Sequence, residues 1–134
     1  MKKTIISISV VMILLSMVVV AQTFWGGKTM RPNQVKEKWG TEKLDLKKFK
    51  SADFSLKSKM AYAIMTNKDL IGKSYEYIEE NFGTHDGFYF IDTYPAYIIQ
   101  DGKTHAEETW QLVFRMDNHY KVRDIIMHKN CCEN

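Results

Sequence analysis

The chain predicts an α+β fold: a two-helix hairpin packed on one face of a small antiparallel sheet, with three to four strands joined as a meander. Three observations carry this. The stretch Leu70 to Gly83, LIGKSYEYIEENFG, holds both end signals and the apolar stripe of a short helix. A second helical pattern precedes it, from Ser51 or Asp53 to about Asn67. Beyond Gly83 the hydrophobic period falls to two, the alternation of a strand.

In the organising helix Ser74 is a good N-cap, and Glu76, Glu79 and Glu80 follow where a helix dipole favours acids. Ile71, Tyr75, Ile78 and Phe82 fall on one stripe, and Gly83 stands where a left-handed C-cap is wanted. In the earlier helix Leu56, Met60, Ala63 and Ile64 share a face. The join from Lys68 to Lys73 is short, so the two helices form a bent hairpin.

The strands follow in order. Phe88 to Ile91 starts an aromatic strand that Pro95 interrupts or places at an edge. Tyr97-Ile98-Ile99 is a second run, and Asp101-Gly102 opens a turn and a polar loop. Trp110 to Met116 alternates, with Trp110, Leu112 and Phe114 on one face and Gln111, Val113 and Arg115 on the other. Asp117-Asn118-His119 turns the chain into a last strand, Val122 to His128.

The N-terminus divides the 134 residues further. Residues 1–21 read as a signal peptide or membrane anchor: Lys2 and Lys3 precede an uncharged run of 17 residues, Ile5 to Ala21. That length lies between a long signal core and a short span, and Val19-Val20-Ala21 suits cleavage before Gln22. No Cys lies near the end of the run, which excludes lipoprotein processing. Lys28, Arg31, Lys36 and Lys38 would pull a retained anchor's C-terminal side inward, whereas the basic start argues for export, the orientation favoured here. Residues 22–50 read as a basic linker with one helical turn from Asn33 to Trp39, and Trp39, Leu44, Leu46 and Phe49 are its candidates for docking on the domain. Residues 51–134 read as the domain itself.

Charge is uneven. Lys28 to Lys59 holds ten Lys or Arg against four Asp or Glu, while Met60 to Asn134 holds seven against twelve. The basic segment is either a solvated tether or a contact for anionic lipid. An acidic domain argues against nucleic acid as a partner. The two cysteines, Cys131 and Cys132, are adjacent, so no spaced pair forms a disulfide scaffold.

The sequence L-I-G-K-S at Leu70 to Ser74, the helix ending F-G at Phe82-Gly83, W-Q-L-V-F-R-M-D at Trp110 to Asp117 and V-R-D-I at Val122 to Ile125 resemble the SmpA/OmlA (BamE-like) modules. These share with the β-lactamase-inhibitor-protein-like domains a layout of two helices against an antiparallel sheet. The resemblance covers about residues 51–128. It implies a periplasmic or cell-envelope protein of bacteria, a diverged relative that binds other proteins, with no catalytic residues and no cofactor. The chain carries Gly83-Thr84-His85-Asp86-Gly87 where that family commonly places Pro after the helix.

The candidate chemistry is sparse. His85-Asp86 has acid/base character without a nucleophile at motif spacing. His105, Glu107 and Glu108 sit in a polar loop without a recognised metal motif. His128, Cys131 and Cys132 form the densest soft-ligand cluster and define an alternative metal- or thiol-dependent function. The leading expectation is an interface. A sheet covered on one face leaves the other open, and that face takes a share of Tyr89, Ile91, Tyr94 and Tyr97 with Val113 and Arg115. Tyr and Arg are enriched at interface centres, so Tyr89, Tyr94, Tyr97 and Arg115 are the candidate protein-interaction residues, the partner being another envelope protein.

Overall fold

A computed structural model describes residues 28–102 and 108–130. In chain order the elements are β1 (Lys28–Met30), α1 (Pro32–Trp39), α2 (Leu46–Ser51), α3 (Phe54–Met65), a 3₁₀ turn (Lys68–Leu70), α4 (Tyr75–Phe82), β2 (Ala96–Gln100), β3 (Trp110–Met116) and β4 (Val122–Lys129). The four strands form one sheet in the order β1-β4-β3-β2, antiparallel throughout. The α+β class and the small antiparallel sheet are as the sequence predicts. Among the described residues α3 and α4 are the expected hairpin, α1 stands where a helical turn was expected, and α2 is added to them.

The period-two pattern of β3 fixes the inner face of the sheet. Leu112 lies opposite Met127 on β4 and Tyr97 on β2, and Phe114 lies opposite Ile125. Each of Tyr97, Leu112, Phe114 and Met127 is fully buried against Met60 and Ile64 of α3 and Ile78 and Phe82 of α4. α3 lies on β2 and β4, α1 packs on α3, and α2 packs against α4.

The end signals act locally, as predicted. Ser74 Oγ accepts a hydrogen bond from Tyr77 N at 3.1 Å, and Gly83 takes φ 89°, a conformation that disfavours any side chain. Asp53 Oδ1 caps α3 by accepting from Leu56 N at 2.9 Å. Ile71 does not join the apolar stripe of α4. It precedes the helix, is 48% exposed, and Leu70 of the 3₁₀ turn takes the core position. Gly72 N and Val122 N make backbone bonds to Val122 O and Lys73 O, which tie this connection to the β3–β4 hairpin.

Two expectations are corrected. The boundary at Ser51 comes too late: residues 28–50 are folded with the rest, with Phe49 in the core and Trp39, Leu44 and Leu46 packed against it, as their reading as docking candidates has it. β1 pairs with β4, Thr29 facing His128, and Val35 and Phe49 are completely buried. The Phe49 ring meets Phe82 and Tyr97 edge-on at 5.3 and 5.6 Å. Each of α1 and α2 inserts a single fully buried side chain and surrounds it with lysines, so neither shows a wide apolar stripe. Pro32 at the first position of α1 and Asp45, which accepts from Lys48 N at 3.0 Å, start these helices.

The second correction is the aromatic strand at Phe88 to Ile91, which is a loop. Phe90 has φ 57°, incompatible with a strand, and Tyr94 N closes a turn onto Ile91 O. The run Ile5 to Ala21 lies outside the described residues. Among the described residues no helix is long and apolar enough to cross a membrane.

Candidate functional site

The face of the sheet turned away from the helices is not open. Between α4 and β2 the chain crosses it as a loop, residues 84–95. Gly87 N donates to Ala96 O and Asp86 Oδ1 accepts from Ile98 N, both at 2.8 Å, which seals the outer edge of β2. Gln111, 1% exposed in the middle of the sheet, then takes both backbone groups of Phe88: its Nε2 donates to Phe88 O at 2.7 Å and its Oε1 accepts from Phe88 N at 3.1 Å. A Cβ on Gly87 would stand 2.5 Å from that Oε1, so the close approach requires glycine.

The expected interaction residues divide between core and brace. Tyr97 faces inward, is completely buried, and donates its hydroxyl proton to Gly83 O at 2.7 Å. It is therefore removed from the outer face: it pairs with Leu112, and their shared parity is that of the core. Burial raises the Tyr97 phenol far above its ordinary pKa, with the Glu79 charge adding to the effect. Tyr89 lies over the outer face with its ring edge-on to His128 at 4.8 Å, and Tyr94 stacks on Tyr89 at 6.2 Å. Arg115 is held in a two-pronged pair with its cross-strand neighbour Asp124, Nε to Oδ1 at 2.6 Å and Nη2 to Oδ2 at 2.7 Å. Those bonds hold its guanidinium pKa above the ordinary value.

What the loop leaves in water is its tip. Phe88, Phe90 and Ile91 are 59%, 68% and 48% exposed. The Phe90 ring rests edge-on against Tyr89 at 4.7 Å, so the tip stands on a stack of Tyr89, Tyr94 and His128. Its residues are visible in the sequence only as aromatics. Gln111, which positions them, shows itself there as one amide inside an apolar strand.

His128 is 7% exposed, and neither ring nitrogen has a hydrogen-bond partner among the described residues. Burial lowers its pKa, which keeps the imidazole neutral. Cys131 and Cys132, expected beside it, lie outside the described residues, as do His105 and Glu107. Among the described residues no three His, Cys, Asp or Glu side chains gather as a metal site. Glu108 is a brace, accepting from Trp110 Nε1 at 3.1 Å and Lys129 Nζ at 2.8 Å.

His85 and Asp86 do not act together. His85 Nδ1 lies 2.6 Å from Glu79 Oε1, beside the Tyr75 ring, while Asp86 turns to Ile98 N and to Lys57 Nζ at 3.7 Å. Both side chains tie the start of the loop to elements already in place.

Comparison of the chain with protein-family models, with curated proteins and with solved structures finds no match.

Proposed function

We propose that this chain is a non-enzymatic bacterial cell-envelope protein, exported or held at the membrane by the run Ile5 to Ala21, whose α+β domain binds another protein through the loop tip. The observation that supports this most is Phe90. It is a large apolar residue, 68% exposed, with φ 57°. A bulky side chain at positive φ costs on the order of 1 kcal/mol, and the edge-on contact with Tyr89 still leaves most of the Phe90 ring in water. Tyr120 has a similar φ of 56°, and its carbonyl ties the hairpin to α4 by accepting from Tyr75 N at 2.9 Å, whereas the bend at Phe90 closes only the bond from Ile91 N to Tyr89 O within the tip itself. With Phe88 and Ile91 beside it, the tip offers a rigid apolar contact, which suits the buried centre of an interface. The resemblance to the SmpA/OmlA modules, small domains of this layout that bind envelope proteins, points the same way.

The test is a photo-crosslinking residue at position 90 in intact cells, with position 120 as comparison. A discrete protein adduct from position 90 alone is expected. Phe90→Gly should abolish a non-covalent capture while leaving the melting temperature equal or higher, since glycine relieves the strain. Adducts to lipid only, or identical adducts from both positions, would overturn the reading.

The imidazole of His128, buried without a hydrogen-bond partner among the described residues, favours a second reading, a metal- or thiol-dependent protein working through His128, Cys131 and Cys132. Metal analysis of protein purified without chelator decides it. Stoichiometric zinc or copper would place this reading first, and metal-free protein would remove its metal form.

A further inference from the structure

We propose that the sheet end at which the chain joins the domain is seated on an anionic lipid surface, held there by Lys36, Lys38 and Lys43. This rests on the membrane-held form of the function above but uses a different surface from the loop tip.

The path of the chain carries the first part. Lys28 opens β1 opposite Lys129, and Lys129 lies opposite Trp110 at the start of β3. The Trp110 ring meets Trp39 edge-on at 6.4 Å. The last turn of α1 has therefore returned to the sheet end where β1 began. That turn carries Lys36 and Lys38, both exposed, and Lys43 follows in the exposed connection to α2. None of the three has an ion-pair partner among the described residues. Lys36 Nζ and Lys38 Nζ lie over the rings of Tyr62 and Trp39, 5.8 and 5.3 Å from their centres, which restrains both ammonium groups at the surface of α1.

The length of chain outside the structure supplies the second part. Six residues, Gln22 to Gly27, separate the apolar run from Lys28. Fully extended they reach about 20 Å, so with the run in a bilayer the start of β1 stays within roughly two Debye lengths of the headgroups, and the end of α1 lies at that same end of the sheet.

Charge supplies the third. Residues 31–50 hold seven Lys or Arg against three carboxylates, whereas Met60 to Asn134 holds seven against twelve. An anionic surface attracts the α1 end and repels the remainder, which orients the domain as well as holding it. Because the cations sit on a folded segment, little chain order is lost on contact.

The experiment uses the full chain in lipid nanodiscs, of phosphatidylcholine alone or with phosphatidylglycerol, and reads the acylation rate of each lysine by mass spectrometry. Lys36, Lys38 and Lys43 should react about fivefold more slowly in the anionic discs, the factor that corresponds to one Lys at such a surface. Lys121, exposed at the opposite end of the β3–β4 hairpin, should not change. High salt should remove the protection. Lys36→Gln together with Lys38→Gln, both at exposed positions, should abolish the protection of Lys43. Equal rates in the two discs, or equal protection of Lys121, overturn the proposal while the membrane-held reading stands. A full chain that does not remain with either disc overturns both.

Discussion

The side-chain amide of Gln111 hydrogen-bonds both backbone groups of Phe88, 23 residues earlier in the chain. A buried amide thus does what a neighbouring strand would otherwise do, and the aromatic segment lies across the sheet as a loop instead of extending it. The site depends on this pair.

Gln111→Leu should leave the peptide of Phe88 facing an apolar surface with neither bond made. A loss of about 1–3 kcal/mol is expected, together with faster hydrogen exchange at Phe88 and Gly87 while the amides of β3 and β4 stay protected. Uniform exchange across the sheet would show that the loop is not separately held.

Gly87→Ala tests the same approach from the other side. The added Cβ would meet Gln111 Oε1 at 2.5 Å and Ala96 O at 3.0 Å, so the loop must shift. Reduced stability is expected, with weaker contact at position 90 in the crosslinking assay. A melting curve and crosslinking pattern like those of the unaltered chain would contradict the packing described.

Phe49→Ala addresses the folded basic segment. Phe49 is completely buried between Phe82 and Tyr97, and its truncation should cost about 3–5 kcal/mol. A solvated linker would tolerate the change. Urea unfolding of the two proteins side by side separates the cases.

Acid should weaken the fold through His128. Burial lowers its folded pKa below the ordinary 6.5, so the unfolded chain binds the proton more readily. Stability should be full above pH 6.5, fall as the pH drops from there toward the lowered folded value, and level off below it. The urea midpoint, measured with chelator present, should show this slope, and His128→Leu should flatten it. An unchanged slope in the variant would assign the acid sensitivity elsewhere.

Much of the sheet and of α4 was legible because its signals are local. Trp110, Leu112, Phe114 and Met116 put a large apolar side chain at every second position of β3, and Ser74 and Gly83 bound α4 through contacts within one turn of the helix. The candidate site was only half legible. The sequence names Phe88, Tyr89, Phe90 and Tyr94 as aromatics, but their parity depends on where the chain turns, and Phe90 at φ 57° ends the alternation that a strand assumes.

By itself the sequence determined the α+β class, the hairpin of β3 and β4 and the capped helix before them, because caps and periodicity act between residues a few positions apart. Tertiary structure alone decided that Tyr97 is core, that residues 84–95 cover the outer face, and that Val35 and the docking candidate Phe49 are completely buried. Those outcomes rest on bonds and contacts between distant residues, Gln111 with Phe88, Tyr97 with Gly83 and Phe49 with Phe82. A polar side chain or a single aromatic ring announces no such partner until the fold brings it within reach.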